Sequence, residues 1–336
     1  MQAGDWLGGQ TLVYEVGCFV FESVAEGRVQ PACEHGVFMV RHVVLGAGGF
    51  LGGRLAESLV EQDVNPVLVR PSDTQSGRFT AVKERLSGFE SLGAHCGPGS
   101  VYYYCISDMT PSNSAQEPSA FIESNLTLFV RFLEWVAANG GGHVVYTSSG
   151  GTVYGDSAIR PTPETAPLEP ISFYGLLKAS AEQFLSLYAR QGRLTFTTAR
   201  ISNPFGPGQQ LKRGQGLIPA VAERIKAGQP LQILGEGDTV RDYIHIDDVI
   251  AALELCGTHP ALSNTVVNVG TGRGLSVLEV VQIVEEALGK KAELHFVSDR
   301  PGDVRASVLD ISRIRSLTGW DPEISVEEGL ERWLSQ

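Results

Sequence analysis

A glycine-rich turn between a short apolar run and a helical pattern is the feature that most constrains this fold. The stretch "HVVLGAGGFLGG" contains Gly46, Gly49 and Gly52 at three-residue spacing. Glycine allows the chain to turn tightly and lets backbone N–H groups at a helix N-terminus approach a phosphate. Because a strand pattern precedes the turn and a helix pattern follows it, we predict that this loop, including Phe50 and Leu51, binds the pyrophosphate of a dinucleotide.

Short apolar runs alternate with helical patterns up to about residue 200. Strands are predicted at "HVVLGAG", "NPVLVR", "FTAVKE", "SVYYYCIS" and "HVVYTSS", and helices at "GGRLAESLVEQ" and "NLTLFVRFLEWVAAN". Buried strands that alternate with helices are typical of a parallel sheet covered on both faces. We therefore predict an α/β fold, with a doubly wound parallel sheet over residues 39–200. Gly and Pro loops then predict a smaller C-terminal α/β lobe over residues 201–336, interleaved with the first.

The N-terminal segment, residues 1–38, differs from the rest of the chain. It contains one possible strand pattern but precedes the first regular strand, which follows Met39. We predict that Met39 is the natural start and that residues 1–38 form an extension outside the core. The alternative is a genuine strand or flap.

Composition excludes several classes of function. The 336-residue chain carries a formal net charge of −12 and no basic tract, so neither nucleic acid nor an anionic membrane surface is an expected partner. Its five cysteines are widely spaced without a C-x-x-C pair, which disfavours disulfides and a metal site and favours a reducing cytoplasm. No uncharged run approaches the roughly 20 residues that span a bilayer.

The end of the second predicted strand bears on the choice of cofactor. In dinucleotide-binding units an acidic residue at this point holds the ribose hydroxyls. Here "PVLVRPSD" places Arg70 at the strand end. An arginine could bind the 2′-phosphate of NADP. Alternatively Arg70 lies on the surface and Asp73 contacts the ribose of NAD, so both cofactors stay open.

A tyrosine and a lysine four residues apart begin a predicted helix in "ISFYGLLKASAEQF". Spacing of four places Tyr174 and Lys178 on one helical face. A free tyrosine has a pKa of roughly 10, too high for a base at neutral pH, but a nearby ammonium favours the tyrosinate. The pair is therefore a candidate acid–base site. The alternative is a tyrosine beside a lysine on the surface.

Eight motifs in order resemble those of the extended short-chain dehydrogenase/reductase superfamily, within it the nucleotide-sugar epimerase/dehydratase family that UDP-glucose 4-epimerase typifies. They are "GAGGFLG", "IESNLT", "SSGGTVYG", "YGLLK", "ARISNPFGPGQ", "VRDYIHIDDV", "NVGTGRGLSVLEVV" and "RPGDVRASVLD". The resemblance covers about residues 39–334. It implies a Rossmann domain that binds NAD or NADP and a C-terminal lobe that mainly binds a nucleotide sugar.

The resemblance also implies roles for individual residues. Tyr174 would take the proton of the sugar 4-hydroxyl as hydride leaves C4, and Lys178 would bind the nicotinamide ribose and lower the tyrosine pKa. Asn125 would order the nicotinamide end of the cofactor. The substrate side of the site would comprise Asn203, Arg241, Arg300, Asp303 and Ser307. For Arg241, a salt bridge with Asp242 or Asp247 is the structural alternative.

The chain departs from the family pattern at several positions. Gly150 stands where relatives have the Ser or Thr that bonds the sugar oxygen and the tyrosine, so Ser149 is the candidate for that catalytic role, with Ser148 or Thr152 as alternatives. The Thr-Asp-Glu run of dehydratases is absent, which disfavours 4,6-dehydration. Arg85 stands where relatives place an aspartate against adenine, and nothing explains it. Ser307 is small where some relatives carry an aromatic that excludes N-acetylated sugars, so the pocket could admit them.

Three functions follow from these observations. The first is a cytoplasmic NAD(P)-dependent UDP-sugar 4-epimerase that serves cell-surface polysaccharide synthesis, a homodimer through a helix pair by family analogy. The second is an NADP-dependent reductase of a nucleotide keto sugar, for which Arg70 is the best support. The third is a non-catalytic dinucleotide sensor, suggested by Gly150 and Arg85, although an intact Tyr174 and Lys178 argue against it.

Overall fold

The computed structural model describes residues 40–70, 80–83, 89–109, 117–209, 216–298 and 304–334. Five predictions lie outside the described residues: the N-terminal extension and the roles of Asp73, Arg85, Arg300 and Asp303. For Arg70 the backbone is described but the side chain is not.

A parallel sheet of seven strands forms the centre of the described part of the chain. With strands numbered in chain order, its members are β1 (His42–Leu45), β2 (Val67–Arg70), β3 (Thr80–Lys83), β4 (Val101–Tyr104), β5 (His143–Ser149), β6 (Thr195–Ile201) and β10 (Thr265–Val269). Their order across the sheet is β10-β6-β5-β4-β1-β2-β3. In β1, Val43, Val44 and Leu45 are all fully buried, as expected of a strand covered on both faces. The predicted Rossmann-type sheet is confirmed.

Helices cover both faces of this sheet, and other helices belong to a smaller lobe. The helices are α1 (Phe50–Glu61), α2 (Pro118–Phe121), α3 (Leu128–Ala138), α4 (Gly150–Val153), α5 (Phe173–Arg190), α6 (Leu217–Ala227), α7 (Ile246–Thr258), α8 (Val277–Leu288), α9 (Ser312–Thr318) and α10 (Val326–Leu334), with 3-10 turns at Glu90–Ala94 and Pro260–Leu262. On one face Val44 packs in a core with residues of α1, α7 and α9. On the other, Val43 and Leu45 pack with α3 and α5. This alternation follows from the two-residue side-chain period of a strand.

The helical segment before α3 begins earlier than the sequence predicts. The predicted helix started at Asn125, whereas helical structure begins at Pro118 and continues through a π-helical turn, Ile122–Thr127, into α3. Proline at the first helical position favours this start, since its missing N–H would have no partner there. Asn125 therefore lies in the π-helical turn, a feature often found at functional sites.

A smaller α/β lobe follows β6, as predicted. Its main sheet pairs β9 (Val240–His245) with β7 (Asn203–Phe205), β11 (Gly274–Ser276) and β13 (Ala306–Ser307), and a second, two-stranded sheet pairs β8 (Leu231–Leu234) with β12 (Leu294–Val297). Residues of α6, α8 and α10 supply the core of this lobe. Only Ser202 separates β6 from β7, so the lobe begins at the carboxyl edge of the central sheet.

Among the described residues, no helix is both long and apolar enough to cross a membrane.

Candidate active site

The active-site helix, α5, begins immediately before Tyr174. Ser172 is its N-cap and accepts a hydrogen bond from the Gly175 N–H (3.1 Å), which satisfies one of the free donors at the helix start. Lys178 lies one turn beyond Tyr174, and its Nζ is 5.7 Å from the centre of the tyrosine ring. Lys178 is only 7% exposed, and its Nζ donates to the carbonyl oxygen of Thr147 (2.8 Å). The lysine is therefore part of the interior rather than of the surface.

Ser149 supplies the hydroxyl that contacts Tyr174. It is the last residue of β5, and its side chain lies near enough to the phenol to lower the pKa of Tyr174. Ser148 and Thr152, the two alternatives, bond elsewhere: the Ser148 hydroxyl donates to the Glu182 carboxylate, and the Thr152 hydroxyl donates to the Ser149 carbonyl oxygen (3.5 Å). The geometry thus favours Ser149 among the three hydroxyls.

Gly150 has no room for a side chain. A Cβ atom built on it would lie 2.5 Å from Leu309 Cδ1 and 3.1 Å from the carbonyl oxygen of Arg200. Leu309 is fully buried, so it cannot move into solvent. The departure from the family pattern is therefore a repacking, in which Leu309 fills the space of the usual Ser or Thr.

Burial moves the pKa values of Tyr174 and Lys178 apart. It raises the pKa of Tyr174 to about 12, which the nearby Ser149 side chain only partly opposes. It lowers the pKa of Lys178 to about 8, which Cys105 and Glu182 partly oppose. The loss of hydration is the largest cause of the tyrosine shift. Positive charge near the phenol would favour its ionised form.

The glycine loop follows β1, the strand at which the order of strands across the sheet reverses. From β1 the chain builds the sheet outward through β2 and β3, and β4 then adds on the other side of β1. In doubly wound folds this switch point is where ligands bind, at the carboxyl ends of the strands. Gly46 has a φ of +88°, and a Cβ on it would lie 2.9 Å from the carbonyl carbon of Cys105, the residue after β4. A Cβ on Gly52 would lie 2.3 Å from the Gly46 carbonyl oxygen.

The start of α1 fits a pyrophosphate. Its N-cap is Gly49, which has no side chain to cap the helix, and Phe50 and Leu51 form its first turn. Backbone N–H groups at such a helix start are suited to anions, and Gly52 keeps the approach to the loop open. Arg70 is the last residue of β2, the neighbour of β1, so it lies at the same carboxyl edge. The residues present therefore fit a dinucleotide.

Asn125 shares a cavity with Tyr174 and Lys178. Its Nδ2 donates to Asp108 Oδ1 (2.5 Å) and to the Phe121 carbonyl oxygen (3.0 Å), and its Oδ1 accepts from the Asp108 N–H (3.3 Å). These bonds fix the amide orientation and tie the π-helical turn to the segment after β4. The structure thus brings Asn125 to the catalytic pair.

Two of the residues predicted to bind substrate, Asn203 and Ser307, lie beside α4, which follows Ser149. A Cβ on Gly151 would lie 3.8 Å from Asn203 Nδ2 and 3.9 Å from Ser307 Oγ. Ser307 pairs with Arg241 in the register of β13 and β9. Asn203, Arg241 and Ser307 therefore lie together on one small sheet beside the active site.

The two acids considered as partners for Arg241 have other bonds. The buried Asp242 carboxylate accepts from the N–H groups of Thr271 (2.9 Å) and Leu309 (3.2 Å), which ties together the loops around Gly150. Asp247 accepts from Arg54 Nε (2.9 Å). Asp242 thus holds the backbone at Thr271 and Leu309 in place, and Asp247 links α7 to α1.

Comparison with known proteins identifies the family. The model of the NAD dependent epimerase/dehydratase family matches residues 42–270, more than half of the chain. The chain belongs to this family.

Individual relatives match over nearly their whole length. The UDP-glucose 4-epimerase of Mycolicibacterium smegmatis is 31% identical over 307 residues, 87% of this chain and 97% of that protein. The dTDP-4-dehydro-6-deoxyglucose reductase of Escherichia coli is 27% identical, over 86% of this chain and 95% of its own. The structure of Thermus thermophilus UDP-glucose 4-epimerase in complex with NAD is 28% identical and superposes with a TM-score of 0.80, covering 88% of this chain and 98% of that one.

Sequence reasoning missed a buried ion pair behind the active site of this family member. Glu182 on α5 and Arg200 on β6 are 4% and 5% exposed, and Arg200 Nη2 is 2.6 Å from Glu182 Oε2. Arg200 Nη1 also donates to the Tyr154 hydroxyl (2.8 Å). The signal in the sequence was the repeated spacing of four from Tyr174 through Lys178 to Glu182, which places all three on one helical face.

No group of three or more His, Cys, Asp or Glu side chains suited to a metal ion occurs in the described part of the chain.

Proposed function

We propose that this chain is a nucleotide-sugar 4-epimerase that uses NAD and acts on a UDP-sugar. One observation carries the proposal: Tyr174 lies beside Ser149 and the buried Lys178, at the sheet edge that also holds the glycine loop. Cys105 connects the two parts, since it abuts Gly46 on one side and interacts electrostatically with Lys178 on the other. The two UDP-glucose 4-epimerases named above support this function over others in the family.

Three residues of the chain are proposed to have separate roles in the oxidation at C4. Ser149 holds the Tyr174 hydroxyl in position, and Tyr174 takes the proton of the sugar 4-hydroxyl and later returns it. Lys178 holds a buried ammonium, which stabilises negative charge on the phenol and can donate to ribose hydroxyls. Bound NAD⁺ would supply the hydride acceptor and donor. Because burial raises the pKa of Tyr174, positive charge beside the phenol is expected to assist its ionisation.

The nucleotide sugar would lie against the smaller lobe. Asn203 and Arg241, together with Arg300 and Asp303, are proposed to bind the diphosphate and the uridine ribose, a task suited to the planar fork of arginine. Ser307 is small and lies within reach of Gly151, so the pocket is proposed to accept N-acetylated as well as plain hexoses. NAD is favoured over NADP by the NAD-bound relative, and Arg70 is the reason to test both.

A reductase of a nucleotide keto sugar is the second candidate. The Escherichia coli reductase is 27% identical to this chain, and Arg70 lies where a 2′-phosphate would bind. A reductase consumes one reduced cofactor for each product, whereas an epimerase regenerates its cofactor. A dinucleotide sensor without catalysis would not need Tyr174 and Lys178 together.

Proton NMR of the purified protein with UDP-glucose or UDP-N-acetylglucosamine tests the proposal. With a trace of NAD or NADP, we expect the C4 epimer to accumulate with no stoichiometric change of cofactor. The sugar and the cofactor that react faster would settle both specificities. Stoichiometric oxidation of NADPH on a keto sugar would instead support the reductase, and no turnover of either sugar with either cofactor would contradict the epimerase.

We also propose a homodimer through α5. Four large apolar side chains on this helix, Phe173, Leu176, Phe184 and Leu187, are 39–50% exposed. Their spacing of three, eight and three residues places them on one stripe of the helix, and such an exposed stripe commonly marks an interface. A two-fold axis beside α5 would pack the stripe against its own copy. The two-lobe division at residue 200 and the cytoplasmic location stay predictions.

Charge on this stripe should dissociate the dimer. Leu176→Asp and Phe184→Asp are expected to shift the protein from dimer to monomer in light scattering after size exclusion, because a buried unpaired carboxylate is costly. The control is Phe296→Asp on β12, where the side chain is 56% exposed and lies outside the stripe. A monomeric parent protein, or a dimer that survives both α5 changes, would refute this interface.

A further inference from the structure

Three consecutive residues at the end of β5 interact with three residues of α5. The Thr147 carbonyl oxygen accepts from Lys178 Nζ (2.8 Å), the Ser148 hydroxyl donates to Glu182 Oε1, and the Ser149 side chain lies near the Tyr174 phenol and lowers its pKa. Two of these contacts involve the proposed catalytic residues. The middle one, between Ser148 and Glu182, is not part of the chemistry.

We propose that Glu182 is a positioning residue, which anchors Ser148 and so aligns both the Thr147 carbonyl and the Ser149 hydroxyl with the catalytic pair. This inference rests on the proposed function, because it assigns Glu182 a part in the acid–base work of Tyr174 and Lys178. Ser148 is the neighbour in sequence of both Thr147 and Ser149, the two residues that contact the catalytic pair. A shift of Ser148 would therefore displace both contacts at once.

Glu182 is itself held rigidly, which an anchor requires. Its carboxylate accepts from Arg200 Nε (3.1 Å to Oε2) as well as from Nη2, and the partner Arg200 donates to Tyr154. Tyr154 in turn donates to Asn268 Oδ1 (2.7 Å) on β10. The chain of buried bonds thus runs from α5 across β6 to β10, and each group in it is satisfied, as a buried polar network must be.

The charge of Glu182 also supports Lys178. The polar groups that face the lysine are Cys105 after β4, Tyr146 on β5, and Tyr174 and Glu182 on α5. Burial raises the pKa of Cys105 to about 12, so its thiol is neutral when Lys178 titrates near pH 8. Glu182 is therefore the anion that favours the charged form of Lys178. The positive charge of Arg200, which pairs with Glu182, weakens this effect.

Ser148→Ala and Glu182→Gln test the anchor, with Ser100→Ala as the control. Ser100 is an equally buried serine that accepts from the Gly97 N–H (3.1 Å) at the opposite edge of the sheet. We expect Ser148→Ala to lower kcat about 10-fold with little change of KM, because misplaced catalytic groups cost rate rather than binding. Glu182→Gln should lower kcat further and move the alkaline limb of the pH profile to lower pH. An unchanged kcat in Ser148→Ala would overturn the proposal.

A second readout needs neither substrate nor cofactor. The chain has six lysines, so carbon NMR of protein labelled at lysine Cε can follow Lys178, assigned through Lys178→Met. Ser148→Ala should move the Lys178 signal while Ser100→Ala leaves it in place, and Glu182→Gln should lower its titration midpoint. A midpoint and signal unchanged in both variants would refute the anchor even if epimerase activity is found. If the expected NMR shifts occur but no turnover is found, the proposed function is contradicted and the anchor is supported.

Discussion

Replacing Tyr174 with phenylalanine is expected to abolish nearly all turnover, with kcat for C4 epimerisation falling by roughly 10²- to 10⁴-fold, the range contributed by a general acid–base group. The variant removes only the hydroxyl, which lies near Ser149, and it leaves the ring beside Lys178. Cofactor affinity and thermal stability should therefore change little. Initial rates by NMR, cofactor titration and thermal unfolding measure the three quantities.

Tyr188→Phe is the matched control for this variant. Tyr188 lies on the same helix and packs against Arg193, with the guanidinium carbon 4.9 Å from its ring centre, away from the catalytic pair. It should keep the parent rate. If Tyr174→Phe retained more than a tenth of the parent kcat, Tyr174 would not be the base, and the dinucleotide-sensor hypothesis would gain support.

Gly52→Ala should have the second large effect, the loss of dinucleotide binding. The new Cβ would lie 2.3 Å from the Gly46 carbonyl oxygen and 2.8 Å from its carbonyl carbon, so the loop or α1 must shift. Such overpacking costs about 1–3 kcal/mol of stability. Because the backbone that shifts is the one proposed to hold the pyrophosphate, cofactor affinity should fall at least as much. Calorimetric titration with NAD and thermal unfolding check both effects.

Gly53→Ala separates this clash from the general effect of alanine on the helix. Gly53 is the next residue of α1, and a Cβ there would meet nothing closer than the Ala47 carbonyl oxygen at 3.4 Å. Since alanine is the better helix former by roughly 1 kcal/mol, Gly53→Ala should stabilise the protein and leave cofactor binding intact. Equal NAD affinity in both variants would show that the loop does not hold the pyrophosphate.

Local patterns were enough to predict the first half of the fold. The strands β1 to β5 and the helix α1 are marked by contiguous apolar runs and by the glycines of the first turn. These signals depend on residues close in sequence. The spacing of Tyr174 and Lys178 was equally local, and it placed both correctly on one helical face.

Distant packing explains what the sequence could not predict. The sequence left Ser148 and Thr152 open beside Ser149, and the choice depends on distant partners such as Glu182, 34 residues along the chain, which accepts the hydrogen bond of the Ser148 hydroxyl. The pairing of Glu182 with Arg200 requires knowing that β6 lies next to β5. The rise of the tyrosine pKa depends on burial, which no spacing of residues reveals.

The place of β10 and α7 has a consequence for the gene. Both elements come after the first strands of the smaller lobe, yet β10 completes the central sheet beside β6 and α7 covers the face on which α1 packs. A chain cut near residue 200 would therefore expose apolar surface on Val267, Val249 and their neighbours. A gene fragment that encodes only one of the lobes is therefore not expected to give a stably folded product.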